Sequence, residues 1–108
     1  MNNLTRLLVA ALEQSLATRR GVRVPEAGVV FWQAFSALSD GRRFAQGVPL
    51  PITAAELVAY GQITGLPFGS RHFALIRALD AVWLQAARSD RPVIAGELSG
   101  DIFDAIFA

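Results

Sequence analysis

The side chains of this 108-residue chain that could do chemistry are few and scattered. There is no cysteine, so neither a disulfide framework nor a thiolate metal site can form. His72 is the single histidine, and with no second His or Cys to join it a metal site is not expected there. Asp80 is the most informative carboxylate, set between Ile76 and Trp83 beside an apolar stripe. A buried carboxylate without partners is costly, so Asp80 should accept from backbone amides or from an arginine such as Arg77. Catalysis would need a second acid or a nucleophile beside it, and none stands near in sequence. Arg42 and Arg43 could meet a phosphate, but no other basic residues surround them. A solvated pair, or an ion pair with Asp40, is the expectation. No catalytic, cofactor-binding or metal-binding residue is therefore assigned, and an enzyme is not expected.

The elements that position these groups are helices, and the clearest pair lies in Pro51–Ala87. Thr53 and Glu56 have the spacing of a capping box, which opens a helix running to about Thr64. Gly65 can take the left-handed position that ends it, and Pro67 prevents continuation. Ile52 and Leu57 are spaced as a hydrophobic staple, and Ala59, Tyr60 and Ile63 complete the helix's apolar set. Gly61 inside that helix suggests close contact with another helix. After a short connection, Ser70 can cap the next helix. Its Phe73, Ile76, Leu79 and Trp83 share one face, widened by Leu75, Ala78 and Val82.

Upstream, Asn2 or Asn3 can cap a first helix that ends in Arg19-Arg20 before Gly21. Leu4, Leu8, Ala11, Leu12 and Leu16 lie along one of its faces. Pro25 suits the first position of a second helix that reaches about Asp40. There Gly28, Phe31, Trp32, Phe35, Leu38 and Ser39 share a face, an aromatic stripe expected in a core. Gly41–Pro51 reads as a loop. Beyond Arg88 the sequence Ser89-Asp90-Arg91-Pro92 breaks the pattern, and Val93–Leu98 reads as extended or irregular. Ser99 can cap a last short helix carrying Ile102, Phe103, Ile106 and Phe107 on one stripe. The expectation is an all-α, single-domain bundle of four main helices plus a short C-terminal helix. Residues 1–20 form its N-terminal amphipathic helix, 24–88 its core and 89–108 its tail.

Hydrophobic residues make up 53% of the chain and charged residues 18%. That balance implies either a large core fraction or apolar surface covered by an oligomer or partner. The net charge of +1 gives no broad steering toward nucleic acid. No run is long and apolar enough to span a membrane, and no signal peptide is read.

The middle of the chain resembles the tail assembly chaperones among the small tail proteins of long-tailed bacteriophages. The resemblance rests on Trp32 and Phe35 before Leu38 and Arg42 or Arg43, then Pro51-Ile52 leading into Glu56-Leu57. It continues with Tyr60, Ile63, Thr64 and Gly65, then Ile76, Leu79-Asp80 and Trp83-Leu84. It covers Val24–Ala87 and leaves out the first helix and the tail after Arg88. It departs at Arg71-His72, where such proteins often carry an acidic residue. The resemblance implies a helical adaptor without covalent chemistry, acting in the cytoplasm of the bacterial host. Its implied partners are the tape-measure protein, which it keeps soluble, and the tail-tube protein, which it recruits. Two other readings stay open. One is a structural tail or head–tail component retained in the particle. The other is a helix-turn-helix DNA-binding regulator, which the five-residue turn Gly65–Gly69 and the missing basic footprint argue against.

The candidate partner-binding residues are the two terminal stripes: Leu4, Leu8, Leu12 and Leu16, and Ile102, Phe103, Ile106 and Phe107. Each can instead pack on its own domain, and each could join two copies of the chain. The face assignment around Trp83 is open to direct test. Trp83→Ala should lower stability by roughly 3–5 kcal/mol in denaturant unfolding, whereas unchanged stability would put Trp83 on the wrong face.

Overall fold

The computed structural model describes residues 2–89; the expected Val93–Leu98 segment and the short helix with Ile102, Phe103, Ile106 and Phe107 lie outside the described residues. Four helices account for most of the rest: α1 Asn3–Thr18, α2 Val29–Asp40, α3 Ala54–Thr64 and α4 Ser70–Ser89. A 3₁₀ turn, Glu26–Gly28, leads into α2. Pro25 precedes that turn as its cap instead of being the first residue of the α-helix.

α4 is the axis of the bundle, with α1 and α2 packed against it and α3 packed on α2. Asn2 and Thr5 lie beside Arg71, Ala74, Leu75 and Ala78 at one end. Glu13, Leu16 and Ala17 lie beside Ala81, Val82, Gln85 and Ala86 at the other. α1 and α4 therefore run parallel, the chain crossing back through α2, a hairpin and α3. Trp32, Trp83 and Phe35 are the largest fully buried side chains, joined by Leu8, Leu12, Leu57, Ile76 and Leu79. The aromatic face of α2 and the Ile76–Leu79–Trp83 face of α4 thus meet as their spacing requires.

Helix termini follow local chemistry. The Asn2 side chain accepts from the Thr5 amide at 2.8 Å and starts α1. α1 stops at Thr18, before the expected Arg19-Arg20 ending. Arg19 takes the left-handed conformation (φ 55°), and the Ser15 hydroxyl donates to the Arg20 carbonyl at 3.0 Å, which holds the reversed chain. The capping box of α3 is present: the Glu56 amide donates to Thr53 Oγ1 at 3.2 Å, and the Thr53 amide donates to Glu56 Oε1 at 3.0 Å. Gly65 ends that helix at φ 76°. Ser70 is the first residue of α4, not its cap. Gly69 fills that place, its amide donating to Nδ1 of His72 at 2.8 Å.

Two other expectations are corrected. The Gly41–Pro51 loop contains a two-stranded hairpin, β1 Phe44–Ala45 paired antiparallel with β2 Val48–Pro49. Its turn residues Gln46 and Gly47 both have positive φ, 54° and 79°. Such a two-residue turn matches the twist of its strands but favours Asn or Gly at both places, so Gln-Gly hides it in the sequence. Gly61 does not face a second helix. A Cβ there would stand 2.5 Å from the Leu66 carbonyl oxygen, so the glycine admits the loop that follows its own helix. Ile63, one of the helix's apolar set, is 86% exposed.

Gly61 separates intrinsic propensity from packing. Gly61→Ala should gain about 1 kcal/mol of helix propensity and lose more than that to backbone displacement, giving a net fall in the unfolding midpoint. A net rise would mean that the Leu66 carbonyl moves aside freely.

Candidate functional site

Two of the polar groups flagged by the sequence, Arg42 and Asp80, meet in one buried cluster. Arg42 turns inward and is 8% exposed, contrary to the expected solvated Arg42–Arg43 pair. Its Nη2 donates to Asp80 Oδ1 at 2.6 Å and to Ser39 Oγ at 2.9 Å. Its Nη1 donates to the Leu50 carbonyl at 2.9 Å. Asp80 Oδ2 accepts from the Ile52 amide at 3.0 Å. The partners of Asp80 are thus an arginine and a backbone amide, but the arginine is Arg42, thirty-eight residues away in sequence, in place of Arg77. The Arg42 guanidinium carbon also lies 3.9 Å from the centroid of the Trp83 ring. A desolvated cation on an indole face is attracted by the ring quadrupole. Arg43 stays at the surface, 3.4 Å from Glu56, where an ion pair adds little.

This cluster is structural. Both members of the pair are nearly inaccessible, with side chains 2% and 4% exposed, so no substrate could reach them. Its effect is to fix the end of α2, the hairpin exit and the start of α3 onto α4. His72 is likewise occupied, stacked on Phe31 at 5.3 Å between ring centroids as well as accepting from Gly69. Among the described residues no group of three or more His, Cys, Asp or Glu could hold a metal ion, and no helix is long and apolar enough to cross a membrane.

The stripe candidates separate. Leu8 and Leu12 are fully buried in the core beside α4 and offer no surface to a partner, which corrects their assignment as contact residues. The stripe that would bind another helix already has one, α4. Leu4 and Leu16 are half-buried at the two ends of that packing. Ile102, Phe103, Ile106 and Phe107 lie outside the described residues.

Exposed large apolar side chains occur at Leu7, Val30, Phe44 and Val48 as well as on α3. Its inner arc is Leu57 and Gly61, both buried. Its outer arc is Ala54, Ala55, Val58, Ala59, Gln62 and Ile63, every one exposed and none charged. Val58 is 51% exposed and Ile63 86%. A depression of about 330 Å³ continues from Val58 and Gln62 over Leu66, Pro67 and Phe68. The same loop, with Val30, Phe31 and His72, lines a second of about 210 Å³. Tyr60 and Phe31 flank Phe68 at 6.0 and 6.2 Å, so the loop rests on an aromatic base. One signal for this surface was present in the sequence. Leu57, Val58, Ala59, Tyr60 and Ile63 point in all directions at about 100° per residue, more apolar arc than a helix packed on one side can bury.

α4, the second helix of the helix-turn-helix reading, packs against both α1 and α2 and keeps Arg71, Arg77 and Arg88 on its exposed side. The described residues form a small helical bundle with an uncharged exposed face on α3. The chain belongs to the phage tail assembly chaperone family, whose model matches residues 12–85. The match starts inside α1, so the first helix, left out of the resemblance drawn from sequence, is partly within the family's extent. No curated protein and no solved structure matches the chain.

Removing one member of the buried pair should show its structural weight. Asp80→Ala leaves the Arg42 charge buried without its carboxylate and should cost about 3–5 kcal/mol. Arg42→Lys should recover little of an Arg42→Ala loss, because an ammonium lacks the planar fork that reaches Leu50, Ser39 and Asp80 together. Urea unfolding of each variant measures both; near-wild-type stability of Asp80→Ala would contradict the assignment.

Proposed function

We propose that this chain is a non-enzymatic adaptor of phage tail assembly that binds the tape-measure protein and the tail-tube protein in the cytoplasm of the host cell. Family membership supports the chaperone role. The observation that carries the reading further is the outer face of α3, which presents Val58 and Ile63 without a charge among its exposed residues. Uncharged apolar surface of this kind is what an assembling tail chain would bury on docking. The mode is an apolar helix face against an apolar face or groove, with anchors spaced as on a helix. Such contacts are individually modest, which suits a helper that must release its client when the tail closes around it. Leu66, Pro67 and Phe68 extend the same surface and would complete the contact.

Co-expression of the tagged chain with the tape-measure and tail-tube proteins of the same genome tests the reading. Capture of at least one partner is expected. The double variant Val58→Asp with Ile63→Asp should abolish that capture, while stability changes by no more than about 0.5 kcal/mol per site, as for other surface substitutions. Failure to capture either partner, or capture untouched by the double variant, would contradict it.

A further inference from the structure

α4 opens on a histidine. Gly69 precedes its first residue, and the Phe73 amide donates to the Gly69 carbonyl at 3.1 Å, so His72 stands third in the helix. That is the place from which a Glu or Gln reaches back to the capping amide in a capping box. His72 does the same with a ring nitrogen: the Gly69 amide donates to its Nδ1 at 2.8 Å. The ring meets the preceding loop a second time, edge-on to Phe68 at 5.9 Å between centroids. We propose that His72 is an acid-sensitive latch on the Leu66–Gly69 loop, closed by the neutral imidazole and released when the ring gains a proton.

The chemistry lies in one lone pair. A ring nitrogen that accepts from an N–H carries no proton, so the closed latch requires the tautomer with its hydrogen on Nε2. An imidazolium has an N–H at both nitrogens and no acceptor. It sets two donors against each other at Gly69 and puts a positive charge in the first turn of α4, where the helix dipole is already positive. The charged ring can still stack on Phe31, 5.3 Å away between centroids, but stacking restores no lone pair. The cap of α3 is a comparison within the same molecule. There the Thr53 amide donates to Glu56 Oε1 at 3.0 Å, and a carboxyl group keeps an acceptor oxygen in either protonation state. Histidine is the side chain whose charge ordinarily changes between about pH 5 and 8.

The surroundings leave the latch to His72. The ring is half-buried and lines the open depression of about 210 Å³, so protons from solvent reach it. Val30 and Phe31 of α2 and Leu66, Pro67 and Phe68 of the loop line that depression with it, and none is charged. Tyr60 of α3 meets Phe68. On α4 itself the neighbouring charges are Arg71, which is exposed, and Arg77, whose guanidinium lies 5.9 Å from the Phe73 ring. No carboxylate among these groups stands to pair with an imidazolium. The other end of the loop is held separately, by the Leu66 amide donating to the Gly61 carbonyl at 2.9 Å. Release therefore frees Pro67, Phe68 and Gly69 while α3 keeps its stop. The latch does not depend on what the α3 face binds.

His72 is the single histidine, so its ring signals in NMR spectra of the full chain are unambiguous. At about pH 7.5 the ring nitrogens should report the Nε2–H tautomer. On acidification to about pH 5 the Gly69 amide proton should move upfield with the same midpoint as the ring. Backbone order parameters of Phe68 and Gly69 should fall from about 0.85 toward 0.6, while the Thr53 amide and the core amides of α4 hold still. In His72→Gln, whose amide oxygen can accept in the same place without titrating, Gly69 should stay closed at both pH values. In His72→Ala the loop should be open at both. Three results would overturn the proposal: an Nδ1–H tautomer at pH 7.5, Phe68 and Gly69 signals unmoved through the titration of the ring, or the same acid response in His72→Gln, which would assign it to another group.

Discussion

Asp80 does two things with its two oxygens. One accepts from Arg42, which follows α2, and the other accepts from the backbone amide of Ile52, just before α3. Arg42 in turn holds Ser39 and the Leu50 carbonyl. A single carboxylate on the central helix therefore ties down both ends of the irregular connection between α2 and α3. Without it, the Gly41–Pro51 stretch would have to be placed by a two-residue hairpin whose Phe44 and Val48 are about half exposed. Apolar contact alone specifies such a segment weakly, because it is short and mostly exposed. A buried charge pair specifies it sharply, because any other arrangement leaves an ion unpaired.

That constraint also places α3. The helix is short, and only part of one side, Leu57 and Gly61, is buried. Its position comes from its ends: the Ile52 anchor and the Thr53–Glu56 capping box before it, and the Leu66–Phe68 loop folded over Gly61 after it. Packing is thus concentrated on a narrow arc, and the opposite arc is free to be apolar without being core.

Much of the bundle was legible in the sequence because helix signals are local. The capping box, the glycine stop at Gly65 and the aromatic stripes of α2 and α4 are written in residues a few positions apart, and the structure places them accordingly. What could not be read is what depends on distant partners. Arg42 and Asp80 are far apart in sequence, and nothing near either names the other. Arg77 was the closer arginine, but it lies on the exposed side of α4. The hairpin was hidden by Gln46, which adopts a conformation that its type rarely takes. Ile63 belongs to the apolar set of α3 but points outward. The helix had already filled its inner arc, and the loop that covers Gly61 left Ile63 outside. Leu8 and Leu12 show the converse, a stripe that could have met a partner but meets α4.

The Ile52 amide reports on the central interaction directly, since its only described acceptor is Asp80. Native-state hydrogen exchange at that amide should be as slow as at the core amides of α4, opening only with global unfolding. Exchange of Ile52 at the rate of the exposed loop amides, while α4 remains protected, would show that Asp80 does not hold the start of α3, and would contradict the account.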